Sequence, residues 1–277
     1  MKVVEITAPG GPEVLKPVER PVPQPQKNEV LIKVAAAGVN GPDIMQRKGL
    51  YPAPAGASDL PGLEVSGEIV DAGGLPETFF TVWSNVFIGA GLKSGETFLV
   101  HGGAGGIGTT CIQLGKAFGA KVIATDSPDE RCQICRDLGA DQVIDYKQDD
   151  FVEAVRGAGG ANVILDIVGG ANVEKNFKAA THDARIIQLA FALGSKVEVN
   201  LMPVMLKRLS YTGSTLRTRP PAFKARIASE LEEKVWPHIE AGRIRVVTNR
   251  TFPLDQAAEA HKMMESAGHV GKILLLP

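Results

Sequence analysis

The chain has 277 residues, enough for two domains with substantial cores. Thirty basic against thirty-one acidic side chains leave a net charge of −1, so the charge balance favours neither nucleic acid nor an anionic membrane surface as a partner. Three cysteines, Cys111, Cys132 and Cys135, are too few for a disulfide framework; with no charged leader and no apolar run long enough to span a bilayer, the expected location is the cytoplasm.

In chain order, MKVVEIT, EVLIKVAAAGV and LEVSGEIVDAGG read as strands separated by proline-rich linkers such as KPVERPVPQPQ, which predicts an antiparallel β unit over the first 74 residues. A helix is expected over LPETFFTVWSNVF. From Thr97 onward, the apolar runs TFLVH, KVIATD, QVIDY, NVILDIV, RIIQLAF and LSYTGS alternate with helical patterns, the signature of an α/β, doubly wound parallel sheet. NVILDIV is apolar on consecutive residues, as expected of a strand covered on both faces, and Asp166, Gly169 and Gly170 close it at the carboxyl end, where such sheets take ligands. One long helix is expected over PPAFKARIASELEEKVWPHIEAG, then a strand in IRVVTNRTF, a helix in DQAAEAHKMMESA and a last strand KILLLP. Met263 and Met264 read as core filling, and His261 and His269, distant from other metal-type ligands, as surface residues. Cys132 and Cys135 form a CxxC inside a helical pattern rather than at a helix start, which argues against a redox role.

The most specific local feature is TFLVHGGAGGIGTTCIQLGKAFG, residues 97–119, a glycine-rich turn between a strand and a helix. Gly103, Gly105 and Gly108 stand at GxGxxG spacing, for the tight turn, close approach of a pyrophosphate, and close helix–sheet packing respectively. With Ala104, Gly106 and Ile107 they would present backbone N–H groups and the positive end of a helix dipole to phosphates. The same pattern also serves as a plain strand-to-helix connection. Eighteen residues on, KVIATD ends in Asp126, whose carboxylate could accept from both ribose hydroxyls of NAD; with Ser127 and Asp129 it reads equally as a helix N-cap. Arg131, in the following helix, could instead pair with a 2′-phosphate.

Segments over nearly the whole chain, among them VNGPDIMQRKGLYPAP, LPGLEVSGEIV, LPETFFTVWSNVF, LGADQVIDYK, TGSTLRTR and TFPLDQAAEAHKMME with HVGKILL, resemble the quinone oxidoreductase, zeta-crystallin-like branch of the medium-chain dehydrogenase/reductase superfamily. The resemblance implies a Rossmann domain over 76–240, a smaller GroES-like catalytic β domain over 1–75, and a C-terminal segment, 241–277, that returns to it. It implies hydride or single-electron transfer from a reduced nicotinamide to a quinone or α,β-unsaturated carbonyl, and a homodimer formed through the edge strand LSYTGS. Asn40, Asp43 and Tyr51 match the VNxxD…GxY residues that line the nicotinamide cleft. Thr81 matches a threonine that reaches the carboxamide, and Phe191, Leu216 and Arg217 match segments bordering the nicotinamide. Tyr51 could donate to a developing oxyanion, or simply pack in its proline-rich loop. Zinc-dependent relatives place Cys at Asn40 and His-Glu at Leu63–Glu64, so no zinc is expected.

The resemblance makes NADPH the expected cofactor. This sequence departs from the family's pattern, with Asp126 in place of a small neutral residue, Pro128 in place of Ser and Arg131 in place of Lys; Tyr146 is kept, and Asp126 predicts appreciable use of NADH. The β domain is shortened. Between Gly74 and the helix that starts at Leu75-Pro76-Glu77 the resembling enzymes carry roughly 50 more residues, enough for several strands. Without them the β domain is expected to have open edges and a thin core, giving either an enzyme with an open cleft or a dinucleotide-binding protein with impaired catalysis.

Overall fold

The six apolar runs after Thr97 become six strands of one sheet, all parallel. The computed structural model describes residues 1–24, 31–69, 77–266 and 268–277, and the chain divides into Met1–Glu77 with Val246–Pro277, and Thr78–Arg245. The sheet lies in the second unit, in the order Ser210–Gly213, Ala180–Gln188, Ala161–Asp166, Thr97–His101, Lys121–Asp126, Gln142–Asp145. Thr97–His101 is central and all five of its residues are buried. The chain leaves this strand to one side first and to the other later, so a crevice for ligand opens at its carboxyl end. Leu99, Ile123, Ile144, Ile164 and Ile186 from the sheet pack with Phe151, Val155 and Phe177 from its helices. Ser210–Gly213 is an edge strand with every residue exposed. Among the described residues no helix is long and apolar enough to cross a membrane.

Two elements differ from the sequence expectation in this unit. The expected helix after Pro220 is two helices, Pro221–Lys234 and Trp236–Glu240, broken at Val235. Pro237 causes the break: it has no N–H to give to the preceding turn, and its ring would crowd the carbonyl four residues back. The helix Glu77–Val82 widens from Trp83 to Gly89 into π turns.

In the other unit, Lys2–Ile6 pairs antiparallel with Leu15–Glu19. The second of these strands lies partly within the expected proline-rich linker; Pro17 is tolerated because a two-stranded ribbon is all edge. A four-stranded sheet runs Thr248–Pro253, Lys272–Leu276, Ile32–Val39, Val65–Ile69, with the first pair parallel and the others antiparallel. The C-terminal strands thus complete the N-terminal β unit. Val4, Leu15, Val39, Phe252, Ile273 and Leu275 form its core, with Met263 and Met264 packed against it. A cavity of about 680 Å³ opens within this unit, walled by Val3, Val4, Ile32, Val39, Leu60 and Leu275. The junction after Gly74, where the shortening is read from sequence, lies outside the described residues.

His261 is not a surface residue. It lies on the inner face of the helix Ala257–Glu265 with Ala257 and Ala260, 3% exposed, and its Nδ1 is 3.4 Å from Nη1 of Arg47. Arg47 is itself fully buried and donates to the Gly10 carbonyl at 3.1 Å and to Glu265 at 2.9 Å. Burial, then the Arg47 charge, push the His261 imidazolium down to about 4, with Glu265 opposing. The folded protein therefore holds His261 neutral where the unfolded chain protonates it, and stability is lost as pH falls from the ordinary histidine range toward that lowered value. Replacing His261 by Gln removes this penalty. Urea denaturation should show the variant gaining about 2 kcal/mol relative to wild type on going from pH 7.5 to pH 5.

Candidate functional site

In the sheet unit, the turn after Thr97–His101 takes its sharp bend at Gly102, with φ 71°, whose N–H and that of Gly103 both donate to the Thr125 carbonyl, at 2.9 and 3.0 Å. Gly103, which the motif assigns to the turn, is instead required by crowding: a Cβ there would lie 2.7 Å from Cys135 Sγ. At Gly108 a Cβ would come within 2.2 Å of the Gly102 carbonyl oxygen, so the helix Gly106–Ala117 can seat against the turn only with glycine. Gly105 has one neighbour in reach, the Gly102 oxygen at 3.4 Å, and its open side leaves room for a ligand against the backbone. The first amides of that helix, at Gly106, Ile107 and Gly108, have no acceptor within it. A cradle of this shape, with aligned donors and no side chains in the way, fits a dinucleotide pyrophosphate.

Asp126, 3% exposed at the end of the adjacent strand, is saturated with donors. Oδ2 accepts from Ala104 N–H at 2.7 Å and Arg131 Nη2 at 3.2 Å; Oδ1 accepts from Ser127 N–H at 2.8 Å and Arg131 Nε at 2.6 Å. It does not cap the next helix, whose N-cap is Pro128. Ser127 is buried, and Tyr146, whose N–H reaches the Asp126 carbonyl at 3.3 Å, has an exposed ring. Burial raises the thiols of Cys111, Cys132 and Cys135, the last to about 12, which disfavours thiolate chemistry.

Across the carboxyl ends of the strands runs a polar chain that sequence reasoning did not find. His101 Nδ1 lies 2.8 Å from Thr125 Oγ1 and Nε2 lies 2.8 Å from Asn176 Oδ1, while Asn176 Nδ2 donates to Asp166 Oδ2 at 2.9 Å. Because that amide oxygen only accepts, Nε2 carries the proton and Nδ1 accepts from the threonine hydroxyl. Burial lowers the His101 pKa, with Asp166 opposing, so the ring is held neutral. Asp166 Oδ1 in turn accepts from Val168 and Gly169 N–H, shaping the turn against which Phe191 packs: a Cβ on Gly169 would meet the Phe191 ring at 2.6 Å. Gln188 donates to the Asp166 carbonyl and accepts from Tyr211. No sequence signal separates His101 or Asn176 from ordinary strand and helix positions. Thr81 is half-buried in the helix Glu77–Val82, and Leu216 and Arg217 are half-buried in a turn.

In the β unit, Asn40 caps the helix Gly41–Arg47 and forms a capping box with Asp43, whose Oδ2 accepts the Asn40 N–H at 2.8 Å. Asp43 also accepts from Gly62 N–H at 3.1 Å; burial outweighs both bonds and raises its pKa to about 6. The Asn40 carboxamide is held by Lys272, which donates to Oδ1 at 2.6 Å, and by Glu64, which accepts from Nδ2 at 3.2 Å. Lys272 and Glu64 form a buried ion pair, 7% and 6% exposed in their side chains, and Glu64 also accepts the Glu77 N–H at 2.6 Å. Lys272, set in an otherwise apolar final strand, is a residue the sequence reading passed over. The Asp43–Gly62 bond ties the start of the helix Gly41–Arg47 to the far end of the loop that carries the half-buried Tyr51. Among the described residues no group of three or more His, Cys, Asp or Glu side chains could hold a metal ion.

Residues 26–115 match the alcohol dehydrogenase GroES-like domain family, and residues 106–233 the zinc-binding dehydrogenase family. A quinone oxidoreductase of Rattus norvegicus is 28% identical over 327 aligned positions, covering all of this chain and 98% of the relative. Among solved structures, Escherichia coli quinone oxidoreductase complexed with NADPH superposes with a TM-score of 0.85 at 26% identity, and an NAD-dependent alcohol dehydrogenase with a TM-score of 0.86 at 26% identity, each covering the whole of both chains. The chain belongs to the quinone oxidoreductase branch of the medium-chain dehydrogenase/reductase superfamily. The superfamily's two domains are the Rossmann sheet and the smaller GroES-like β unit described above. The alignment with the rat relative spans 327 positions against the 277 residues of this chain, so about 50 positions of the relative lack a counterpart. For the superfamily's β unit, the Lys272–Glu64 pair sets a measurable constraint. Lys272→Met leaves the Glu64 carboxylate buried without its cation and should cost about 3 kcal/mol in urea denaturation, whereas Lys272→Met combined with Glu64→Gln should cost less than the single change.

Proposed function

We propose that this chain is a zinc-independent NAD(P)H:quinone oxidoreductase, reducing a quinone or an α,β-unsaturated carbonyl. The observation that carries the reading is the glycine cradle at 102–108, open beside Gly105 and aimed by the helix Gly106–Ala117, in a chain whose full-length relatives are named quinone oxidoreductases. A bound reduced nicotinamide would supply the hydride or electrons; the acceptor is already electrophilic, so what the protein adds is positioning and electrostatics. Gly106, Ile107 and Gly108 present the turn's amides to the pyrophosphate, whereas the Ala104 amide, expected from the sequence to join them, is committed to Asp126 at 2.7 Å and shapes the turn instead; Asp126, Ser127, Arg131 and Tyr146 surround the adenosine end. Thr81, Phe191, Leu216 and Arg217 border the nicotinamide, and the Asp166 turn sets the position of Phe191. Tyr51 donates to the substrate oxygen, while Asp43 anchors the end of its loop at Gly62 and Asn40 caps the helix that leads into it.

Zinc independence is supported by the donor set. Asn40 and Leu63 stand where zinc-dependent relatives have Cys and His, and a lysine ammonium already meets Asn40 and Glu64. Oxidation of NADPH by the purified chain in the presence of a simple benzoquinone tests the reading, and the rate should be unchanged by chelators; stoichiometric zinc with activity lost on chelation overturns it. NADPH is the proposed cofactor, with NADH used appreciably, and a thousandfold preference for NADPH in kcat/KM would contradict the second part. The protein is further proposed to work in the cytoplasm as a homodimer paired through the exposed edge strand Ser210–Gly213, and sedimentation as a monomer at micromolar concentration would count against the dimer. The positions of the relative that lack a counterpart in this chain favour one other reading, dinucleotide binding without turnover over a shortened β unit. Cofactor titration beside the quinone assay separates the two. Gly108→Ala drives a Cβ into the Gly102 carbonyl and should abolish cofactor binding measured by titration.

A further inference from the structure

Asp126 occupies the position from which a carboxylate would accept the ribose hydroxyls of NADH, but it has no acceptor capacity to offer. A carboxylate has about four lone-pair sites. Here one is taken by Ala104 N–H, one by Ser127 N–H, and two by Arg131, at 2.7, 2.8, 2.6 and 3.2 Å. The two amides cannot let go without undoing the glycine turn and the end of the strand Lys121–Asp126. Arg131 can. It is a long side chain in the first turn of the helix Asp129–Asp137, where a cation opposes the helix dipole, and its pairing with the Asp126 carboxylate offsets that cost. Both side chains are largely removed from water, 15% and 5% exposed, which makes the pair directional rather than a loose surface contact.

We propose that Arg131 is the specificity-determining residue of the adenosine end, acting as a closure over Asp126. This rests on the dinucleotide reading above. A cofactor with a free 2′-hydroxyl must displace the guanidinium fork before Asp126 can accept from it. A cofactor with a 2′-phosphate meets the fork directly, since a guanidinium exchanges carboxylate for phosphate oxygens with the same paired geometry. Asp126 alone thus selects for NADH, and Asp126 closed by Arg131 selects for NADPH, with the carboxylate limiting how strong that preference becomes.

The test uses the full chain, with steady-state kinetics toward one quinone and direct titration of both cofactors. Arg131→Ala should lower kcat/KM for NADPH about thirtyfold, through the cofactor KM rather than kcat, corresponding to loss of a charged hydrogen bond. The same change frees two acceptor sites on Asp126, so kcat/KM for NADH should rise several-fold. Arg131→Lys keeps the charge without the fork and should fall between the two for NADPH while still improving NADH. A merely structural arginine predicts something else: both cofactors weakened in proportion. That outcome, or no change in the NADPH to NADH ratio, overturns the proposal while leaving the dinucleotide reading intact. Failure of the wild-type chain to bind either cofactor overturns the dinucleotide reading and the proposal with it.

Discussion

One carboxylate joins the parts on which the carboxyl end of the sheet depends. Asp126 terminates the strand Lys121–Asp126, accepts an amide of the glycine turn on the neighbouring strand, and holds the first turn of the following helix through Arg131. The hydrogen bonds from Gly102 and Gly103 to the Thr125 carbonyl secure the same junction from the backbone side. Two crossovers that leave the sheet separately are thus brought into fixed register. Since phosphate recognition by backbone amides depends on their common aim, that register is what the proposed pyrophosphate site requires of the turn.

The same edge of the sheet is stiffened by a different device. Thr125, His101, Asn176 and Asp166 form a line of hydrogen bonds across three adjacent strands, and Gln188 with Tyr211 extends it to the edge. Each buried polar atom along it has a partner, and the direction of donation is set by groups that can only accept. A neutral imidazole is the member that suits, because for a charged one the desolvation penalty outweighs both the Asp166 charge and the Asn176 hydrogen bond. The line ends in the turn that supports Phe191, which links packing deep in the Rossmann sheet to the geometry of the proposed nicotinamide side.

The GroES-like unit is organised by buried charge to a degree its size makes notable. Lys272 with Glu64, and Arg47 with Glu265 and His261, tie the last strand and last helix to the helix Gly41–Arg47 and to the segment before the strand Val65–Ile69. Two of its shifted groups, both buried, pull in opposite directions on acidification. The raised Asp43 favours the folded state as protons are added below neutrality, and the lowered His261 disfavours it over much the same range. A small β unit with an open cavity of about 680 Å³ has a limited apolar core, and polar ties between its two chain segments take over part of the holding.

The sequence by itself determined the order of strands and helices in the Rossmann unit, the family, and the location of the glycine turn, because apolar periodicity and glycine spacing are local properties of the chain. It also carried the absence of Cys and His at Asn40 and Leu63. Local reading went astray where a local signal was overridden: Pro237 split a periodic helix, Pro17 was admitted to a strand by an open edge, and His261 was turned inward by its place on the helix. Only the tertiary structure decided which polar groups meet. That Asn40 is held by Lys272 some 230 residues away in the chain, and that His101 meets Asn176, are matters of long-range contact. Hydrogen bonds of that kind follow from how strands are ordered in a sheet, and no spacing along the chain encodes them.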